Sequence, residues 1–177
     1  MSAQPGTYRL GPDTATLSVR TGRSGAAAKA GHDLVMHVTA WEATLELADD
    51  PGHTTVELTA DATSLRVREA TGGMQPLGDD ERANIDQAID DEVLERQDIA
   101  FRSTAVERDG TTFGVTGDLT LAGATKPVAF DLTVADDGAV SATAAVTQTD
   151  WGMKPYSALF GALKVADGVE VVLEGHL

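Results

Sequence analysis

His32 and Asp33 are the adjacent pair most able to support acid–base chemistry in this sequence. A carboxylate next to an imidazole can hold one tautomer of the ring, as in a catalytic triad. Neighbouring residues of a strand point to opposite faces, however, and the chain contains no Gly-x-Ser-x-Gly nucleophile motif. We therefore favour a structural histidine, or one that lines the opening of a binding site. A hydrolase acting on a lipophilic substrate is the third hypothesis.

Metal and cofactor chemistry have little support in the remaining residues. His32 and His37 are five residues apart, so on one strand they would point to opposite faces and could not share a metal ion. Cysteine is absent, which excludes thiol catalysis, thiolate metal sites and disulfides. The glycine-rich segments GTYRLG, GRSG and TGGM match neither a phosphate-binding loop nor a dinucleotide-binding fingerprint. The sequence predicts no catalytic residue, no metal site and no resident cofactor.

The chain is strongly acidic, with 13 basic and 28 acidic side chains and a net charge of −15. Such a surface repels nucleic acid and anionic membranes. No window approaches the roughly 20 apolar residues of a membrane span, and the N-terminus lacks the apolar core of a secretory signal. These features predict a cytoplasmic protein without stable membrane insertion, unless a signal was removed. A homodimer is left open.

Alternating apolar and polar residues predict many half-buried strands. TATLSVRTG places Ala15, Leu17 and Val19 on one face, and the same period of two recurs through most of the chain. The pattern shifts near Ser64, which predicts a bend or bulge. Three Asp-Gly pairs predict hairpin turns between antiparallel neighbours, at 109–110, 137–138 and 167–168.

One segment, Asp79 to about Glu95, predicts a helix. Its apolar residues Ile85, Ala88, Ile89 and Val93 follow a stripe of period 3.6. Between Asp79 and Asp98 we count nine acidic and two basic residues, a net charge of −7. We interpret this charge as a solvated helix face rather than an acidic docking site.

These elements define an all-β fold class in a single domain of residues 1–177. Each strand has one apolar face, so the sheet must stack on a second layer or curl until its edges meet. With eight or nine strands, we favour a curled antiparallel sheet with the helix against an opening. A flat sandwich with a crossing helix is the second arrangement.

Several segments resemble the YceI-like family. GDLTLAGATKPVAFDLTV is similar to the family's signature, in which a Gly-x-Leu-Thr strand turns at a Gly-x-Thr-Lys-Pro-Val corner. Upstream of it, EVLERQDIAFRSTAV is similar to the family's helix end and the extended segment that follows, and downstream TQTDWGMKP and VADGVEVVLEGHL are similar to its later segments. The chain departs from the family where Asp13-Thr14-Ala15-Thr16 replaces Asp-x-x-His-Ser, and where 81–85 replaces Arg-Asp-x-His-Leu, so the roles of those histidines do not carry over.

The resemblance implies a lipocalin-like antiparallel β-barrel of about eight strands, with one α-helix near an opening and an apolar cavity for a polyisoprenoid chain. The small inward residues Ala142, Ala144 and Gly117 favour such a cavity over a solid interior. The apolar segment 152–164 is interpreted as a flap across an opening, with Leu159, Phe160 and Leu163 meeting the ligand or the core. The predicted ligand-binding residues are Leu17, Val19, Leu34, Met36, Trp41, Phe101, Phe113, Phe130, Leu132, Trp151, Met153 and Phe160.

The leading hypothesis is a non-enzymatic carrier of an isoprenoid or a similar long-chain amphiphile, whose only bound molecule is that lipid. The alternative is an interaction or stress-related scaffold that docks a basic partner through the acidic helix.

Overall fold

A computed structural model describes residues 3–26, 28–73, 76–158 and 163–177, most of which lie in antiparallel strands. The main sheet consists of β1 Gly6–Leu10, β2 Ala15–Thr21, β4 His32–Val38, β5 Trp41–Leu47, β6 Thr55–Ala60, β7 Leu65–Gly72, β8 Ile99–Asp109, β9 Thr112–Leu121, β10 Ala124–Val134, β11 Ala139–Thr147 and β14 Gly168–His176. A second sheet consists of β3 Arg23–Ser24, β12 Ser157–Ala158 and β13 Leu163–Val165. Short 3-10 turns span Ala28–Ala30, Pro51–His53, Ala62–Ser64 and Gln148–Trp151.

The described residues contain one α-helix, α1 Asp79–Ala88, which continues into a π-helical turn at Ile89–Val93. Three acidic residues in its first turn complement the positive end of the helix dipole. The predicted helix is therefore confirmed over nearly its whole length. Within the described part of the chain, no helix has the length and apolar composition needed to cross a membrane.

The main sheet curls into a barrel. Its strand order is β1-β5-β6-β8-β9-β10-β11-β14-β2-β4-β7, with every neighbouring pair antiparallel. Strand β1 runs into β2, β4 into β5, and β6 into β7, so the two ends of this order are halves of the same three long strands. The predicted antiparallel lipocalin-like β-barrel is confirmed. The sheet contains eleven strands rather than about eight because those three long strands are broken.

The breaks are local turns held by backbone and side-chain hydrogen bonds. At the first break, Ala15 N–H donates to Gly11 C=O at 2.9 Å. At the third, the Asp61 carboxylate accepts from the hydroxyl and the backbone N–H of Thr63, at 2.7 and 2.8 Å. These hydrogen bonds hold the pKa of Asp61 below its ordinary value. The bend predicted near Ser64 is confirmed.

Two of the three predicted Asp-Gly hairpins are present. Gly110 joins β8 to β9 and Gly138 joins β10 to β11, with φ angles of 63° and 91°. The prediction for 167–168 is wrong, because β13 belongs to the second sheet whereas β14 pairs with β11 and β2. The Asp167 carboxylate instead accepts from the backbone N–H and hydroxyl of Thr149, at 2.9 and 2.6 Å.

The half of the barrel that carries the hairpin turns at Gly110 and Gly138 is filled by packed side chains. We call this half the packed end, formed by the buried residues Leu10, Leu45, Leu47, Val106, Phe113, Val115, Val134 and Val140. Phe113 is 2% exposed and Val115 is 1% exposed, so little room remains between them. Any ligand must therefore enter the other half.

Candidate ligand cavity

An apolar cavity of about 560 Å³ occupies the other half of the barrel. Its walls come from β2, from β4 to β11, from β14, and from α1 with the π-helical turn after it. This volume lies within the usual range of small-molecule sites, about 300–1,000 Å³. Apolar side chains from five strands form part of the wall: Val56, Leu58, Leu119, Leu121, Val128, Ala142, Ala144, Val146, Val169, Val171 and Leu173.

Small side chains on β11 contribute to this room. Ala142 and Ala144 both line the cavity and follow Val140 of the packed end along β11. Gly117 acts differently, because a Cβ there would lie 2.6 Å from the Phe101 ring and would also contact the backbone. The Phe101 ring thus occupies the space that a side chain at position 117 would take. Its centroid lies 5.4 Å from that of the Phe130 ring.

The structure brings eight of the twelve predicted ligand-binding residues together on the cavity wall: Leu17, Val19, Leu34, Met36, Phe101, Phe130, Leu132 and Met153. Tyr156 also lies there, and 44% of its surface is exposed. Contact of any of these side chains with a ligand stays a prediction.

Three predicted residues are buried away from the wall. Phe113 belongs to the packed end, where the Arg108 guanidinium lies 5.2 Å from its ring centroid. Trp151 donates its indole N–H to the Leu119 carbonyl at 2.8 Å. Trp41 is buried at the bend between β4 and β5, and its indole N–H has no partner among the described residues. Phe160 and Leu159, from the predicted flap, lie outside the described residues.

Helix α1 and the π-helical turn after it form part of the cavity wall, and none of the twelve predicted ligand-binding residues lies on them. Ile85 and Ile89 line the cavity together with Ala88 and Val93, the stripe of period 3.6 that the sequence shows. The helix packs beside β7, which pairs with β4, whereas β8 pairs with β6 and β9. The Asp86 carboxylate accepts from the backbone N–H of Val67 at 3.0 Å, which satisfies one donor on the free edge of β7.

Polar groups gather at the end of the cavity away from the packed end. We call this end the mouth, formed by Arg23, Gly31, His32, Gln148 and Tyr156. Arg23 donates from Nε to the Asp33 carboxylate at 3.0 Å and from Nη1 to the Gly31 carbonyl at 2.6 Å. Gln148 is buried and donates to the Ala166 carbonyl at 3.1 Å. The mouth is thus polar, while the rest of the cavity is apolar.

Two glycines make room for the mouth side chains. Gly72 and Gly73 have φ angles of +78° and +73°, a backbone conformation that other residues rarely adopt. A Cβ at Gly72 would lie 2.6 Å from the Arg23 guanidinium, and one at Gly73 would lie 2.6 Å from the His32 ring. The end of β7 therefore fixes where both side chains sit.

The arrangement around Asp33 bears on the hydrolase hypothesis. Both carboxylate oxygens accept from the Arg23 guanidinium, at 3.0 and 3.4 Å. The carboxylate that would orient His32 for base catalysis is therefore engaged with an arginine. The described residues also contain no cluster of three or more histidine, aspartate or glutamate side chains that could hold a metal ion.

The π-helical turn carries a partly buried carboxyl group, Asp90. Burial raises its pKa, against the opposing effect of the Arg66 and Arg96 guanidinium groups, and its Oδ1 has no partner among the described residues. Folding therefore favours the protonated form. The resulting penalty is absent below the ordinary pKa of 3.8 and develops as the pH rises through that value to the raised one.

We expect Asp90→Asn to increase the free energy of unfolding at pH 7 by less than about 1 kcal/mol, because solvent screens a partly exposed charge. The gain should vanish near pH 3, where the wild-type carboxyl is protonated. Asp91→Asn is the matched control, since it removes the same charge but also breaks the ion pair with Arg96 at 2.8 Å. Urea unfolding at both pH values measures the difference, and a gain that persists unchanged at pH 3 would contradict this account.

A curled antiparallel barrel with one packed end and an apolar cavity closed at the side by a helix defines a lipocalin-like binding fold. The chain belongs to the YceI-like family, because the model of the YceI-like domain matches residues 8–177.

Solved structures of low sequence identity share this fold. BcnA from Burkholderia cenocepacia is 16% identical, with a TM-score of 0.65 over 90% of this chain and 94% of that chain. The YCEI protein of Campylobacter jejuni is 15% identical, with a TM-score of 0.56 over 80% of this chain and 82% of that chain. A comparison with curated proteins found no match.

Proposed function

We propose that the protein is a non-enzymatic carrier of an isoprenoid or a similar long-chain amphiphile. The observation that supports this proposal is the cavity of about 560 Å³, apolar along its length and polar at its mouth. Family membership agrees with it, because the YceI-like fold is a binding fold for polyisoprenoids. The chain would lie along the apolar walls, with its head group at the mouth. The cytoplasmic location stays a prediction.

Hydrophobic burial can supply the affinity. Each buried methylene contributes about 0.8 kcal/mol, so ten of them contribute about 8 kcal/mol, the free energy of a micromolar complex before the costs of association. Few polar contacts are then needed. This matches a wall on which Arg23 and Glu81 are the formally charged residues among those that the structure describes.

The acidic helix and the turn after it already make contacts within the chain. Its apolar stripe faces the cavity, and Asp86 and Asp91 bond within the chain, to Val67 N–H and to Arg96. Docking of a basic partner through this helix stays a prediction.

Mass spectrometry tests the proposal. The protein is purified from its native host without detergent, extracted with organic solvent and analysed for lipids. We expect one long-chain amphiphile at a near-stoichiometric amount, and binding of added geranylgeraniol to the delipidated protein. Repeated preparations without lipid, together with no binding of geranylgeraniol or hexadecanol in solution, would contradict the proposal.

A further inference from the structure

The cavity wall carries few formally charged side chains, and one of them, Arg23, lies at the mouth. Arg23 is the one lysine or arginine among the described residues that line the cavity, and Glu81 is the one acidic residue. A protein of net charge −15 therefore places a guanidinium group where a lipid head group would arrive. Taken alone, that group would favour phosphate or carboxylate heads, because arginine binds such anions in a bidentate way.

Asp33 already occupies that bidentate position. Its two oxygens accept from Nε and Nη2 of Arg23 at 3.0 and 3.4 Å, while Nη1 is held by the Gly31 carbonyl at 2.6 Å. Asp33 follows His32 on β4 and does not itself belong to the described cavity wall. The carboxylate thus neutralises the guanidinium without itself lining the cavity.

The position of the guanidinium is fixed as well. The Arg23 side chain is 25% exposed and that of Asp33 is 46% exposed, so the pair lies partly out of water. Gly72 packs against the guanidinium from β7, where a larger residue would collide with it. Arginine has five N–H donors, and three of them take part in the bonds just described. The remaining two take part in no hydrogen bond among the described residues, which leaves them for an oxygen at the mouth.

We infer that Asp33 is a specificity-determining residue, which makes the mouth select uncharged, oxygen-bearing head groups such as alcohols or carbonyls and reject anionic ones. The inference rests on the proposed function. An uncharged oxygen can accept from the free N–H groups of Arg23 while the ion pair stays intact. An anion would have to displace Asp33, or meet a guanidinium whose charge that carboxylate already balances, so little attraction would offset the desolvation of the anion.

The test compares two lipids with the same chain, geranylgeraniol and geranylgeranyl phosphate, by titration calorimetry of the delipidated protein. We expect the wild type to bind the alcohol at least about tenfold more tightly than the phosphate. Asp33→Asn keeps an oxygen acceptor for Arg23 but removes the negative charge, so binding of the phosphate should improve about tenfold, equivalent to about 1.4 kcal/mol. Binding of the alcohol should change less than about twofold.

Three further variants distinguish the effect of the Arg23–Asp33 ion pair from the effect of a change in net charge. Asp118→Asn removes one charge on the exposed outer face of β9 and should leave both affinities unchanged. Asp33→Glu restores the charge and should keep the wild-type preference. Arg23→Gln combined with Asp33→Asn should lose the gain for the phosphate. Far-ultraviolet circular dichroism and urea unfolding confirm that each variant is folded.

The outcomes are distinguishable. Equal binding of both lipids by the wild type, or no gain for the phosphate in folded Asp33→Asn, overturns the inference and leaves the carrier proposal standing. Failure of every folded variant to bind either lipid overturns the carrier proposal and the inference together. The predicted pattern across the five proteins supports both.

Discussion

Replacing Ala142 and Ala144 with leucine is expected to weaken lipid binding about 100-fold to 1,000-fold. Both alanines line the cavity, opposite Leu173 and Val171 on β14. Two leucines would take space for roughly four or five methylenes of a ligand, equivalent to about 3–4 kcal/mol of lost burial. Titration of delipidated protein with geranylgeraniol measures the effect.

Ala145→Leu provides the matched control for that double variant. Ala145 lies beside Ala144 on β11 but is exposed on the outer face of the barrel, so the same added volume should leave the affinity unchanged. The double variant should remain folded, because its leucines extend into a hollow rather than into packed atoms. Wild-type affinity in the folded double variant would show that the ligand does not lie in this cavity.

Phe113→Ala is expected to lower the free energy of unfolding by about 3–5 kcal/mol, the usual cost of deleting a buried aromatic side chain. Phe113 is 2% exposed, lies opposite Leu132 on β10, and contacts the Arg108 guanidinium with its ring. The neighbours in the packed end cannot move to fill the space, because they belong to a continuous barrel wall. Urea unfolding followed by tryptophan fluorescence measures the loss.

Phe130→Ala is the comparison, since the same deletion is made at a ring that already faces the cavity. Phe130 is only partly buried, so fewer contacts disappear and the loss of stability should be clearly smaller. The same variant should alter lipid affinity, whereas Phe113→Ala should not while the protein stays folded. Equal losses of stability would contradict the division of the barrel into a packed end and a hollow half.

The barrel itself could be predicted from local patterns, because a period of two and a period of 3.6 are written in the sequence. The hairpins at Gly110 and Gly138 and the stripe of Ile85 and Ile89 follow from those patterns. The second sheet could not be predicted in the same way. Its strands β3, β12 and β13 are two or three residues long, too short for a periodic signal, and β13 pairs with β3 from the other end of the chain.

The division of the barrel into a packed end and a hollow half could not be predicted from the sequence, for a different reason. Phe113 and Phe130 both occupy inward positions of alternating strands, and nothing local distinguishes them. Their different surroundings arise from the distance of each residue from the hairpin end of the barrel. The Arg23–Asp33 pair was missed because a bond between β3 and β4 depends on how the chain turns back between them.

The bonds between α1 and β7 have a consequence for the behaviour of the protein at high concentration. Asp86 covers the N–H of Val67, and Arg82 donates to the carbonyl of Arg68 at 3.4 Å. Without the helix, this strand would offer a row of unsatisfied backbone groups to the same strand of another molecule, the usual starting point of edge-to-edge aggregation. The helix therefore covers part of an edge on which a strand of another molecule would otherwise pair.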